Sequence, residues 1–252
     1  LAFVLFGLCA SADYILNDLL DLEDDRQHPT KRDRPFASGR LPAAAGQIAV
    51  PLLFILAFGG ALALLPWPFA GAMGAYAGLT LLYSLYLKRL MAVDVIALAL
   101  LYTLRVIAGA AALGLPLTFW LLAFSLFIFS SLAFAKRYAE LKDALARGRM
   151  DKARGRDYDP SDLSIISSLG ASSGYLSVVI LALYIRDPAT LSLYHTPNVI
   201  WLACPVLLFW ITRVWILAHR GEMHEDPVIF ALHDRVSLIA GLAFCAVFVA
   251  AL

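Results

Sequence analysis

Apolar residues in this chain are gathered into eight long stretches. They run over Leu1–Leu20, Pro42–Leu65, Ala70–Leu87, Val93–Leu113, Leu117–Leu141, Leu163–Ile185, Val199–Ala218 and Val228–Leu252. A helix needs about 20 predominantly apolar residues to cross the hydrocarbon core of a bilayer. Each stretch is of that order, and each is solid rather than alternating, which argues against a membrane barrel. An all-α, polytopic helical bundle is therefore expected. Gly and Ser inside the runs, as in Gly59-Gly60 and in Ser167 to Gly174, are typical of packed membrane helices. With 61% hydrophobic and 15% charged residues, the chain is too apolar for one soluble core, and nucleic-acid binding and disulfide-stapled folds are excluded. Cys9, Cys204 and Cys245 lie in apolar runs without metal or redox spacing and read as small hydrophobes.

The segments between the runs divide sharply. Asp21–Leu41, Lys88–Met91, Lys142–Asp162 and Arg220–Asp226 are polar and mostly basic, whereas the alternate connections carry Arg186 alone. Sixteen of the twenty Lys and Arg residues belong to the first set, counting Lys136 and Arg137 just before it. The positive-inside rule then places that face in the cytoplasm. The expected location is a bacterial inner membrane.

The first polar segment carries chemistry. Asn17, Asp18, Asp21 and Asp25 recur at helical spacing, so one face presents an amide and three carboxylates. Like charges at this spacing repel, and a cation relieves the cost. Hard carboxylate oxygens suit Mg²⁺, which retains water and takes substrate phosphates as further ligands. Lys31, Arg32 and Arg34 follow and can reach anionic oxygens. A plain solvated juxtamembrane loop is the competing reading. Acids at a membrane edge, however, point first to a functional hypothesis.

The motif Asn17-Asp18-x-x-Asp21-x-x-x-Asp25, followed by Arg34-Pro35-Phe36-Ala37-Ser38-Gly39, resembles the first aspartate-rich motif of the UbiA prenyltransferase superfamily. Tyr83 to Arg89 ahead of Val93-Asp94-Val95, and Leu101 to Gly109, resemble the superfamily's next cytoplasmic turn and following helix. The resemblance covers most of the chain. It implies nine transmembrane helices around a central cavity, Mg²⁺ at the cytoplasmic mouth, and transfer from a polyprenyl diphosphate to an acceptor. Eight segments in 1–252 fit a single such domain that is N-terminally truncated and lacks the first helix.

The second motif departs from the family pattern. Where D-x-x-x-D is usual, this chain has Lys136-Arg137-Tyr138-Ala139-Glu140-Leu141-Lys142-Asp143. A carboxylate reaches a phosphate only through a metal, but Lys136 and Arg137 can touch one directly. This version is similar to the decaprenyl-phosphate phosphoribosyltransferase branch, as is His28-Pro29-Thr30-Lys31. That branch moves 5-phosphoribosyl from phosphoribosyl diphosphate to a polyprenyl phosphate. The expected metal set is Asn17, Asp18, Asp21 and Asp25. Lys31, Arg34, Arg105, Arg137 and Tyr138 are expected to bind substrate, and Asp21, Asp25, Lys136 and Glu140 to serve catalysis. Arg105, deep in an apolar run, either faces a cavity or pairs with an acid such as Asp94. The basic stretch Arg147–Pro160 reads more readily as a solvated loop than as a substrate lid, and positive-inside anchoring is the plain alternative for Lys136-Arg137.

Prenyl transfer to an aromatic or quinone-precursor acceptor stays open, as does a non-catalytic transporter or assembly protein. The expected partners are the membrane lipid and a diphosphate-bearing donor, and self-association is left open. The roles of His219 and His224 are undecided.

Overall fold

The computed structural model describes residues 1–27, 31–146, 157–191, 193–223 and 226–252. Among these it contains helices and no strand. The α-helices are α1 (Ala2–Leu20), α2 (Leu22–Gln27), α3 (Ala43–Leu64), α4 (Trp67–Leu85), α5 (Val93–Leu113), α6 (Phe119–Ala146), α7 (Leu163–Arg186), α8 (Pro188–Leu191), α9 (Ala203–Arg220), α10 (Pro227–His233) and α11 (Arg235–Ala251). Six of the described helices are long and apolar enough to cross a membrane, and the bent α10–α11 pair would make a seventh. That is fewer than the eight apolar stretches suggest: the stretch expected at Ala70–Leu87 forms α4, a 19-residue helix that is not among these candidate spans. The chain is a polytopic membrane bundle, as its apolar runs require.

The expected last span is not one straight helix. It breaks at Asp234, and α10 and α11 meet at 86°. The cause is local: Asp234 has an extended backbone, and its side chain accepts the Ser237 N–H as the N-cap of α11.

The helices pack as two compact units. The first comprises residues 1–87 and 104–117. In it α1 lies on α3, and small residues allow the approach. Ala57 and Ala61 are fully buried, and a Cβ added at Gly60 would meet Leu5 at 2.6 Å. The large residues of α3 point outward: Ile48, Ile55 and Leu62, seven apart, are each more than two-thirds exposed. Small inside and large outside suits lipid rather than water.

The second unit comprises residues 88–103 and 118–252. Here α6, α7 and α9 pack through Gly170 and Gly174, one turn apart on α7. Gly170 has no room for a Cβ beneath Trp215 and Phe134, and a Cβ at Gly174 would meet Ile211 at 2.7 Å and Ser131 at 2.8 Å. The Trp215 indole N–H donates to Ser131 Oγ at 3.0 Å, satisfying both polar groups inside the bundle.

Candidate functional site

The first motif is held at the end of α1. Helical hydrogen bonds run on through the break at Asp21: its N–H donates to Asn17 O at 2.9 Å, and the Asp25 N–H donates to Asp21 O at 2.8 Å. Asn17, Asp21 and Asp25 therefore keep their one-turn spacing although α1 stops at Leu20 and α2 starts at Leu22. The chain then returns through a tight turn. Both the Ser38 hydroxyl and N–H donate to Arg34 O, the Leu41 N–H donates to Pro35 O, and Gly39 takes φ +75°, a left-handed value that favours glycine. Phe36 is buried against Gly46 and anchors the turn.

This turn delivers Arg34 to the acids. One guanidinium nitrogen, Nη1, donates to Asp18 Oδ1 and to Asp25 Oδ2, each at 2.8 Å. Asp25 is almost fully buried, whereas Asp18 and Arg34 are partly open. Two carboxylates thus converge on one cationic atom. Among the described residues no three His, Cys, Asp or Glu side chains gather as a metal group. Magnesium asks for less, since one or two carboxylates suffice when water and phosphate complete the octahedron. Asp18 and Asp25 meet that requirement, with Asn17 and Asp21 adjacent. The Lys31 side chain and His28, Pro29 and Thr30 lie outside the described residues.

Arg105 belongs to the same unit and is exposed on α5. Its Nη2 donates to the Tyr76 hydroxyl at 2.9 Å, and the guanidinium carbon sits 5.3 Å from that ring's centroid. Phe6 packs against the ring at 4.7 Å between centroids. Of the two expected arrangements, pairing with Asp94 is not the one found: Asp94 is taken by Arg137. Near Tyr76 on α1, Asp13 is buried and its Oδ2 lacks a hydrogen bond.

The second motif lies in the second unit, and its two cations have opposite surroundings. Arg137 is 1% exposed and ion-pairs through Nε with Asp94 Oδ2 at 2.7 Å, where Asp94 is fully buried. Glu140 contacts the same guanidinium through Nη1. The Tyr158 hydroxyl donates to Asp94 Oδ1 at 2.6 Å and accepts the Ala92 N–H at 2.9 Å. Burial and the Asp94 acceptor push the Tyr158 hydroxyl well above its ordinary pKa. Arg137 therefore braces α6 against the start of α5, and this burial leaves no face for a phosphate. Its expected substrate contact does not fit this geometry.

Lys136 is about one-third exposed and donates to Asp226 Oδ2 at 2.6 Å. Burial opposes ionisation of Asp226, but the Lys136 ammonium, the Val228 N–H and the Tyr102 hydroxyl outweigh it and hold its pKa below the usual carboxylate value. Tyr138 is buried, its hydroxyl 3.0 Å from His219 Nδ1, with Trp215 edge-on to its ring. His219 thus has a bracing contact, while His224 lies outside the described residues. So does the basic stretch Arg147–Arg156.

Sequence reasoning missed Tyr158 and Asp226 as partners, and considered Asp94 only for Arg105. The available signal was the cost of an acid in an apolar run, which obliges Asp94 to find a cation.

The chain matches the UbiA prenyltransferase family over residues 1–239. It is 41% identical over 251 residues to an uncharacterized protein, y4nM, of Sinorhizobium fredii, covering 99% of this chain and 48% of that protein. It is 38% identical to the nodulation protein NoeC of Azorhizobium caulinodans, over 98% of this chain and 81% of that one. It is 32% identical to the decaprenyl-phosphate phosphoribosyltransferase of Mycobacterium tuberculosis, over 98% of this chain and 78% of that one. The chain thus spans about half the length of y4nM and about four-fifths of the other two.

Proposed function

Because the chain belongs to the UbiA prenyltransferase family and is an integral-membrane transferase, we propose that it moves a 5-phosphoribosyl group from phosphoribosyl diphosphate to a polyprenyl phosphate. The observation that carries this reading is Lys136: a cation about one-third exposed stands in the motif where the family's usual carboxylates are replaced. A donor with a diphosphate and a 5-phosphate, and an acceptor with a lipid phosphate, require more direct cationic contacts than prenyl transfer does. The resemblance to the phosphoribosyltransferase named above supports the same choice.

In this reading Asp18 and Asp25, with Asn17 and Asp21, hold Mg²⁺. When bound, the ion neutralises charge on the donor diphosphate and so favours its departure. Arg34 and Lys31 add charge-assisted hydrogen bonds to the same oxygens. The C1–O bond to diphosphate breaks with oxocarbenium-like character, and a lipid phosphate oxygen forms the new bond at C1. Lys136 is a direct cationic contact for a substrate phosphate, and preorganised positive charge lowers the barrier. Arg105 is a further phosphate contact from its exposed position on α5. Arg137, with Glu140 and Asp94, is a positioning residue for α6, and Tyr138 packs against Trp215 and His219. The basic loops and the site face the cytoplasm of a bacterial cell, following the positive-inside bias.

The test offers the full-length protein, with Mg²⁺ in nanodiscs, two substrate pairs. One is labelled phosphoribosyl diphosphate with polyprenyl phosphate, the other a polyprenyl diphosphate with 4-hydroxybenzoate. Labelled phosphoribosyl lipid is the expected product. Prenylated aromatic product alone would replace this reading with the prenyl-transfer one.

A further inference from the structure

The short helix α10 is fastened at both ends by a carboxylate and a cation. At its N-terminus Asp226 caps the helix, accepting the Val228 N–H on Oδ1 at 3.0 Å, and its Oδ2 accepts from Lys136 of α6 at 2.6 Å. At its C-terminal end Asp234 takes Arg213 of α9 in a bidentate pair, at 2.6 and 3.0 Å. The same Asp234 caps α11 through the Ser237 N–H, and the Trp210 indole donates to Ser237 Oγ at 3.0 Å. The two fastenings are unequal. A bidentate Arg–carboxylate fork is the stronger and more directional pair, whereas a lysine presents a point charge that re-aims readily.

Lys136 is also the cation of the second motif that a phosphate can reach, since Arg137 beside it is buried. A phosphate brings more charge and more acceptor oxygens than one carboxylate, so it competes directly for the Lys136 ammonium. We infer that Asp226 is the internal competitor for the phosphate site of Lys136, and that donor binding displaces it and lets α10 pivot about the Asp234–Arg213 elbow. Asp226 is thus a positioning residue that keeps Lys136 ordered and partly neutralised before substrate arrives. This inference rests on the reading of Lys136 as a phosphate contact.

Three forms of the full-length protein in nanodiscs test it: wild type, Lys136→Met and Asp226→Asn. Asparagine is itself a good N-cap, so Asp226→Asn removes the charge and keeps the cap. Binding of phosphoribosyl diphosphate with Mg²⁺ is measured by calorimetry, and amide exchange is followed across α10. Lys136→Met should bind more weakly. Asp226→Asn should bind about two- to five-fold more tightly, which is the worth of a partly exposed ion pair. Donor should raise exchange of the α10 amides in wild type, toward the level of Asp226→Asn without donor. Undiminished binding by Lys136→Met, or no binding by wild type, would overturn the phosphate reading and the latch together. Weaker binding by Asp226→Asn, or α10 exchange unmoved by donor, would overturn the latch alone.

Discussion

Replacing Arg137 by Met separates a brace from a substrate contact. The guanidinium is 1% exposed and Asp94 is fully buried, so no water can replace the lost partner. The substitution leaves the Asp94 carboxylate with the Tyr158 hydroxyl and no cation. Breaking a buried pair on one side costs about 3–5 kcal/mol, compared with about 0–1 kcal/mol for an exposed pair. For a domain of this size each kcal/mol moves the melting temperature by about 2–4 °C, so a fall of roughly 6–20 °C is expected. The double variant Asp94→Leu/Arg137→Met removes both charges together and should recover most of the loss. Melting of the detergent-purified protein, scored alongside turnover per folded molecule, is the assay. A brace predicts a large drop in melting temperature and near-normal turnover among surviving molecules, with recovery in the double variant. Unchanged melting with turnover abolished would refute the buried-brace argument and return Arg137 to the phosphate contacts.

Four shorter predictions follow from other features. Asp21→Asn or Asp25→Asn should abolish turnover while the protein still inserts and melts cooperatively; wild-type turnover at saturating Mg²⁺ would remove these residues from the metal site. The folded pKa of Asp226 lies below its unfolded value, so its contribution is present above the ordinary aspartate pKa of about 3.9 and is lost as pH falls through the folded value. Amide exchange in α10 should therefore show no loosening of the Lys136–Asp226 pair between pH 7 and about pH 5. Gly170→Ala should destabilise by about 1–3 kcal/mol through overpacking against Trp215, and a companion Trp215→Phe should relieve part of it, as read by melting. Asp13→Ala should stabilise by about 1–3 kcal/mol, because it removes a buried carboxyl oxygen without a hydrogen bond; destabilisation would show that Asp13 has a native partner.

Much of this architecture is legible in the chain, because a bilayer reduces the problem to length and hydropathy. The run Val93–Leu113 is α5 to the residue. The Asn17–Asp25 spacing survives because backbone hydrogen bonds carry the helix through Asp21. What spacing cannot supply is the tertiary pairing of charges. Lys136 and Arg137 are adjacent and alike in sequence, yet one is buried and the other open, and the difference lies in distant partners. Asp226 is 90 residues from Lys136, and Tyr158 is 64 residues from Asp94. Arg34 reads as a phosphate contact in sequence, but the Phe36–Gly39 turn first delivers it to Asp18 and Asp25. The break at Asp234 was hidden for a related reason, since one acid in an apolar run looks like a tolerated polar residue until its capping bond is seen.

Ala92 introduces α5 with φ +63°, a left-handed conformation that costs an L-residue with a side chain about 1–2 kcal/mol. Its N–H is tied to the Tyr158 hydroxyl, so the corner is wound and held by a residue 66 positions further along the chain. The corner behaves as a preloaded spring whose catch is a single phenol. Tyr158→Phe removes two hydrogen bonds at once, the one to Asp94 Oδ1 and the one from the Ala92 N–H, and so releases the corner as well as the Asp94 carboxylate. Glycine at position 92 would remove the preload and leave the catch in place, so the two substitutions together measure how much of the brace is bond and how much is torsion.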